Sequence, residues 1–245
     1  MKNRIAICGY GKVGKSLHLI FPQAEVYDPH LGFRNKDIVN NAEFNFICVP
    51  TPSNKNGSCD TSIVEEILSW SKADINIIRS TVSVGFDIGD NNIFMPEYGP
   101  SDFKGHPFNK LENVGWAVLG GDVDIAKRVA ELLRTALYKL KIFYTDPTTA
   151  QMTKLVENAF LYTKVTFFNQ IYDLCEKYGI NFDEMRLYLT EDPRINEDHT
   201  YVYPNRRKVG GHCLPKDMKN LISTFDDAGL DPKFFKMLED VNETN

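Results

Sequence analysis

Over the first 145 residues, short apolar runs alternate with amphipathic stretches of helical period. That is the pattern of strands buried on both faces and joined through helices. Runs at 5–8, 24–27, 44–49, 75–78 and 93–95 read as strands, and those at 116–119 and 141–144 as outer strands flanking a helix over 123–138. Further helices are expected from about 12 to 20 and over 61–71. The strand–helix alternation implies a doubly wound α/β sheet.

Beyond this the period changes. Asp146 followed by Pro147 is a cap and a first-turn proline, and no breaker appears before Gly179, so one long helix is expected. Met152, Leu155, Val156, Ala159 and Phe160, then Phe167, Ile171, Leu174 and Tyr178, recur along it at helical spacing and read as a buried stripe of core or interface positions. A short helix over 181–189, a loop at Glu191-Asp192-Pro193-Arg194-Ile195 and an irregular basic stretch over 201–208 follow. Pro215 is then expected to open a helix over 216–228, closed by Gly229, and Asp231-Pro232 to cap a last one. The chain thus divides into 1–145, a long central helix over 146–179, and a small all-helical part over 180–245.

Composition narrows the partners. A net charge of −5 without runs of like charge argues against a nucleic-acid or anionic-membrane surface. The five cysteines are odd in number, lack CxxC spacing and follow no signal peptide, which suits a reduced cytoplasmic location. No stretch is long and apolar enough to span a bilayer, and no metal is expected.

The first strand runs into Gly9-Tyr10-Gly11-Lys12-Val13-Gly14 and then a helix. Such a turn places a pyrophosphate on backbone N–H groups at a helix N-terminus. The second strand ends in Asp28, about where an acid meets ribose hydroxyls, so the first part reads as a Rossmann-type domain for NAD; a capping aspartate is the plainer alternative, and Arg34 lies nearby. Val49, Pro50 and Thr51 follow the third strand, Arg79-Ser80-Thr81-Val82 the fourth and Pro96-Glu97-Tyr98 the next. In a doubly wound sheet Thr51, Thr81 and Glu97 then share one edge with the glycine turn.

The second candidate is Lys208–Lys219, KVGGHCLPKDMK. Gly210 and Gly211 permit a turn that exposes the Cys213 thiol, and Lys216 and Asp217 fall in the first turn of the helix beyond it, a setting for attack by sulfur on a carbonyl. A buried structural cysteine is the bland alternative. Lys154 and Asn158 lie one turn apart on the long helix, and Arg206, Arg207 and Lys208 form either a solvated run or a phosphate contact.

Together GYGKVG with Asp28, VPTP (Val49 to Pro52), RSTV (Arg79 to Val82), PEY (Pro96 to Tyr98), KLVEN (Lys154 to Asn158), DPRI (Asp192 to Ile195) and GGHCLPKD (Gly210 to Asp217) resemble, in order, the UDP-glucose/GDP-mannose dehydrogenase family of nucleotide-sugar 6-dehydrogenases. The resemblance implies oxidation of a sugar C6 alcohol, UDP-glucose or a relative, to a carboxylate with two NAD in turn. Cys213 would form a thiohemiacetal and then a thioester. Lys154 and Asn158 would stabilise the oxyanion, Asp217 would relay protons through a water held by Thr81, Glu97 would serve hydrolysis, and Lys216 would add charge near the thiol. Glu97, Tyr98, Lys154, Asn158, Arg194, Tyr203 and Gly210 would contact the substrate, and two copies would pair through the central helix as a homodimer.

Two departures accompany it. The family's second glutamate, within a pattern like EFLREG, is absent from Glu97-Tyr98-Gly99-Pro100-Ser101. The chain also stops after Val241-Asn242-Glu243, a segment resembling the one that leads into a further nucleotide-holding domain, so that domain is expected to be missing. A binding module without activity, or a one-hydride β-hydroxyacid dehydrogenase, are the alternatives.

Overall fold

A computed structural model describes residues 3–98 and 114–244. Contacts sort the chain into two compact units: residues up to Asn54 with Cys59–Lys154, and Leu155 onward with Lys55–Ser58.

In the first unit the described strands are β1 (Ile5–Cys8), β2 (Glu25–Tyr27), β3 (Phe44–Ile47), β4 (Ile75–Ile78), β5 (Asn92–Phe94), β6 (Trp116–Gly120) and β7 (Lys141–Thr145). They form one sheet in the order β2-β1-β3-β4-β5-β6-β7. Strands β1 to β5 pair in parallel, β6 joins β5 antiparallel, and β7 runs parallel to β6. The period-two alternation of each strand feeds two cores. Ile5 and Ile7 pack with Leu17 of α1 (Lys12–Ile20) and Val129 and Leu133 of α4 (Val123–Ala136). Ala6 and Cys8 face the other way, toward Val39 of α2 (Asp37–Asn40) and Val64 and Ile67 of α3 (Ser62–Trp70). Each large aliphatic so buried contributes about 1.5–3 kcal/mol, and helices on both faces make the sheet doubly wound.

That second core contains a line of amides. Asn45, Asn76 and Asn92 are register partners on three adjacent strands. Asn45 donates to Asn76 (2.9 Å), Asn76 to Asn92 (3.0 Å), and Asn92 to the Ile88 carbonyl (2.6 Å). The Cys8 thiol donates to Asn45 (3.2 Å) and Ser71 to Asn76 (2.7 Å). Only the aligned register completes this chain, so a slip of either strand would strand buried amides.

The second unit is helical. Helix α5 (Pro147–Tyr178) starts in the first unit, where Asp146 accepts from the Thr149 amide (2.8 Å) and Gln151 bridges the Gly85 amide and Phe86 carbonyl, each at 2.8 Å. It is followed by α6 (Phe182–Thr190), α7 (Cys213–Asp227) and α8 (Lys233–Thr244). None of the described helices is long and apolar enough to cross a membrane.

Two expectations are corrected. Leu155 and Ala159 are buried, but Met152, Val156, Phe160, Phe167, Leu174 and Tyr178 are 36–73% exposed. The buried face of α5 carries Gln151, Lys154, Asn158, Thr166 and Asn169 beside Leu155, Ala159, Tyr162 and Phe168, because those polar groups find partners there that periodicity cannot reveal. Helix α7 begins at Cys213, two residues before Pro215. A proline is tolerated in the first turn, where its missing N–H has no helical acceptor.

Candidate active site

The parallel strands of the first unit bring their carboxyl ends to one edge. There Gly9 takes φ +91°, and a Cβ on it would stand 2.7 Å from the Cys48 carbonyl oxygen. Gly14, the third residue of Gly9-x-Gly11-x-x-Gly14, packs closer still, since its Cβ would lie 2.1 Å from the Gly9 carbonyl oxygen. At Gly11, the cap of α1, nothing lies within 4 Å of a would-be Cβ, so backbone there is open to approach. Lys12 is exposed at the start of α1, and Val13 packs into the core. The turn thus pairs tight packing at two glycines with access at the middle one, as a bound pyrophosphate requires.

Asp28 ends β2. Its Oδ2 accepts from the Tyr10 amide (2.8 Å), and its Oδ1 from the His30 and Leu31 amides (3.1 and 3.3 Å). The carboxylate therefore caps a 3₁₀ turn (Pro29–Leu31), as the plainer alternative had it, and is also held beside the glycine turn. A ribose diol fits such an acceptor and a 2′-phosphate does not. The Tyr10 hydroxyl meets His18 Nδ1 (2.6 Å), with Phe33 against its ring.

At the neighbouring strand ends, Ser80 donates to the Val49 carbonyl (2.6 Å) and Thr51 to the Thr81 carbonyl (2.7 Å). Pro50 between them is exposed. Glu97, read as an acid or base, lies against the Arg79 guanidinium in a buried ion pair. Arg79 carries RSTV but was not singled out, and only folding reveals its partner. Burial lowers it to about 10, well above neutrality. Tyr98 lies beneath the Lys154 ammonium, 5.0 Å from ring centroid to Nζ, and packs on Trp116. The departure at Gly99-Pro100-Ser101 lies outside the described residues.

In the second unit Cys213 is exposed, whereas Cys8, Cys59 and Cys175 are buried. One turn into α7, Asp217 is 1% exposed. It accepts from Lys216 Nζ on Oδ1 and from Asn158 Nδ2 on Oδ2, both at 2.5 Å. Charge-assisted bonds of that length on a buried carboxylate hold Asp217, Lys216 and Asn158 together, one turn along α7 from Cys213. Gly210 and Tyr203 are exposed. Arg194 turns onto Asp192 (Nη2 to Oδ2, 2.6 Å), which holds that acid below the usual carboxylate range. Its loop is held by Lys164, whose Nζ donates to the Ile195 carbonyl (3.0 Å) and Asn196 Oδ1 (2.8 Å). Among the described residues no group of His, Cys, Asp and Glu could hold a metal ion.

Comparison with known proteins bears on both units. UDP-glucose 6-dehydrogenase of Rickettsia prowazekii (strain Madrid E) is 29% identical over 226 residues, covering 83% of this chain and 48% of its own. A UDP-glucose dehydrogenase from the hyperthermophilic archaeon Pyrobaculum islandicum superposes with a TM-score of 0.81 at 19% identity, over 100% of this chain and 68% of that one. Mycobacterium tuberculosis 3-hydroxyisobutyrate dehydrogenase gives a TM-score of 0.72 at 17% identity, over 100% and 94%. At those identities the structural likeness shows the Rossmann-like fold alone. The chain spans about half the length of the curated relatives it matches. Residues 148–244, which hold Lys154, Asn158, Cys213 and Asp217, match the model of the UDP-glucose/GDP-mannose dehydrogenase family, central domain.

Proposed function

We propose that this chain holds NAD, the cofactor of the UDP-glucose dehydrogenase family, on its first unit and oxidises the C6 alcohol of a nucleotide sugar, UDP-glucose foremost, to the carboxylate. The observation that carries the reading is the exposed Cys213 thiol on the first turn of α7, one turn ahead of a buried Asp217 already bound by Lys216 and Asn158.

When bound, NAD supplies the hydride acceptor, and two oxidations consume two of them. The chain's own residues handle protons and charge. Asp217, with an ordered water near Thr81, takes the alcohol proton as the aldehyde forms. Cys213 Sγ then bonds to the aldehyde carbon, and Lys154 and Asn158 donate to the oxyanion that develops there. Loss of the second hydride leaves a thioester. Glu97, positioned by Arg79, activates water toward the acyl carbon, the C–S bond breaks, and Sγ leaves as thiolate. One alcohol, one water and two NAD give one carboxylate, two NADH and three protons. Tyr98, Arg194, Tyr203 and Gly210 are the proposed substrate contacts, with Lys216 adding positive charge near the sulfur. The exposed apolar residues of α5, at helical spacing from Met152 to Tyr178, support pairing of two copies as a homodimer. Free thiol chemistry suits a cytoplasmic setting.

The test counts NADH by absorbance per UDP-glucose consumed, for the wild type and Cys213→Ser. About two per sugar, lost in the variant, supports the thioester route. No NADH with NAD binding intact refutes it in favour of a binding module. A one-hydride β-hydroxyacid dehydrogenase shares the fold and needs no thiol, so full activity in Cys213→Ser favours that reading.

A further inference from the structure

The basic run ahead of the thiol finds protein partners inside the second unit. Arg207 Nε donates to Asn169 Oδ1, and its Nη2 to the Asn169 carbonyl and to Asp173 Oδ1, all at 2.8 Å. Asn169 Nδ2 returns a bond to the Arg207 carbonyl (2.6 Å), and the guanidinium lies 4.8 Å over the Tyr172 ring. The Arg207 side chain is only 18% exposed, and Asn169 is buried. Nε and Nη2 are thus committed to Asn169 and Asp173, the two bonds to Asn169 on a buried partner, and these contacts fix the guanidinium against α5. Two residues on, the buried Val209 amide donates to Asn242 Oδ1 on α8 (2.7 Å). Gly210, Gly211 at φ +80° and His212 then lead into Cys213.

Beyond the thiol the chain is fastened again, through Asp217 to Asn158. Asn158 and Asn169 are eleven residues apart on α5, three turns, and so share one face about 16 Å apart along its axis. The segment 207–217 is therefore stapled at each end to the same buried face of one helix, with the thiol between the staples. We infer that Arg207 is a positioning residue for Cys213, setting one end of the thiol loop as Asp217 sets the other. Its consequence for turnover rests on the proposed role of Cys213; its consequence for loop order does not.

The experiment compares Arg207→Met, Asp173→Asn and, as control, Lys236→Met, which removes an exposed pair with Asp226 in the same unit. Hydrogen exchange and steady-state kinetics with NAD and UDP-glucose are measured on the full chain. Arg207→Met is expected to raise exchange about tenfold or more over 208–216 only, and to lower kcat about tenfold to a hundredfold with KM for NAD unchanged, because displacing a reacting atom by about 1 Å costs up to about 100-fold. Should Arg207→Met fail to fold, Asp173→Asn, which removes the negative charge from one acceptor of the clamp, is expected to show the same local pattern at about threefold. Unchanged exchange over 208–216 in the folded variant, loosening spread evenly over the unit, or an equal effect of Lys236→Met overturns the inference. A wild type that forms no NADH refutes the dehydrogenase reading alone, and local exchange still decides the clamp.

Discussion

Replacing Asn76 tests how the amide line holds the first unit together. In Asn76→Val, Asn45 Nδ2 loses its acceptor at a fully buried position, while Asn92 and Ser71 are half-buried and can turn to water. A stranded buried donor costs about 1–3 kcal/mol and each of the other lost bonds about 0.5–1.5 kcal/mol, so the variant should lose about 2–5 kcal/mol. The double variant Asn45→Val/Asn76→Val removes the stranded donor and places two β-branched side chains opposite one another, in register, in an apolar core. It should be no less stable than Asn76→Val alone, which is a coupling of about 1–3 kcal/mol relative to the sum of the single variants. Urea unfolding followed by tryptophan fluorescence isolates the effect, because both tryptophans, Trp70 and Trp116, belong to the first unit. Additive losses, within about 0.5 kcal/mol, would refute the reasoning and mean that the amides act independently.

Gly11→Ala should fold normally and lose about tenfold or more in NAD affinity by titration calorimetry, whereas Gly14→Ala, whose Cβ would press on the Gly9 carbonyl, should unfold the turn itself and lower the melting temperature; equal melting of the two contradicts this. Burial pushes Cys8 and Cys48 from 9.0 up to about 12. The folded state therefore favours the protonated thiols, a contribution fully present below pH 9 and lost as pH climbs toward 12. The tryptophan-detected midpoint should fall through that window and fall less in Cys48→Ala, and an unchanged slope in the variant would count against it. Phe160→Glu with Phe167→Glu should convert a wild-type dimer to monomer in sedimentation velocity, and a monomeric wild type would exclude pairing through α5.

Much of the molecule is legible from order and period. Strand, glycine turn, helix and a terminal Asp28 recur within about thirty residues, so local sequence carries the dinucleotide turn almost whole. The two outer strands at 116–119 and 141–144 and the capped start of α5 at Asp146-Pro147 follow from equally local signals. What periodicity left open is which apolar positions of α5 are core and which could be interface. Leu155 and Ala159 are buried with Lys154, Asn158 and Asn169, while Phe160, Phe167 and Tyr178 face out.

Those buried polar groups explain the division. Residue type and spacing by themselves determined that this chain has a doubly wound NAD-type sheet, a long helix and a glycine-flanked thiol, since backbone period, turn chemistry and caps are properties of neighbours in sequence. Only the tertiary structure decided that Arg79 meets Glu97, that Asp217 takes Asn158 and Lys216, that three asparagines join across the sheet, and that Arg207 clasps α5 instead of facing solvent. All but the Lys216 contact join residues far apart in the chain. The desolvation cost that makes each bond obligatory exists only once folding has removed the water.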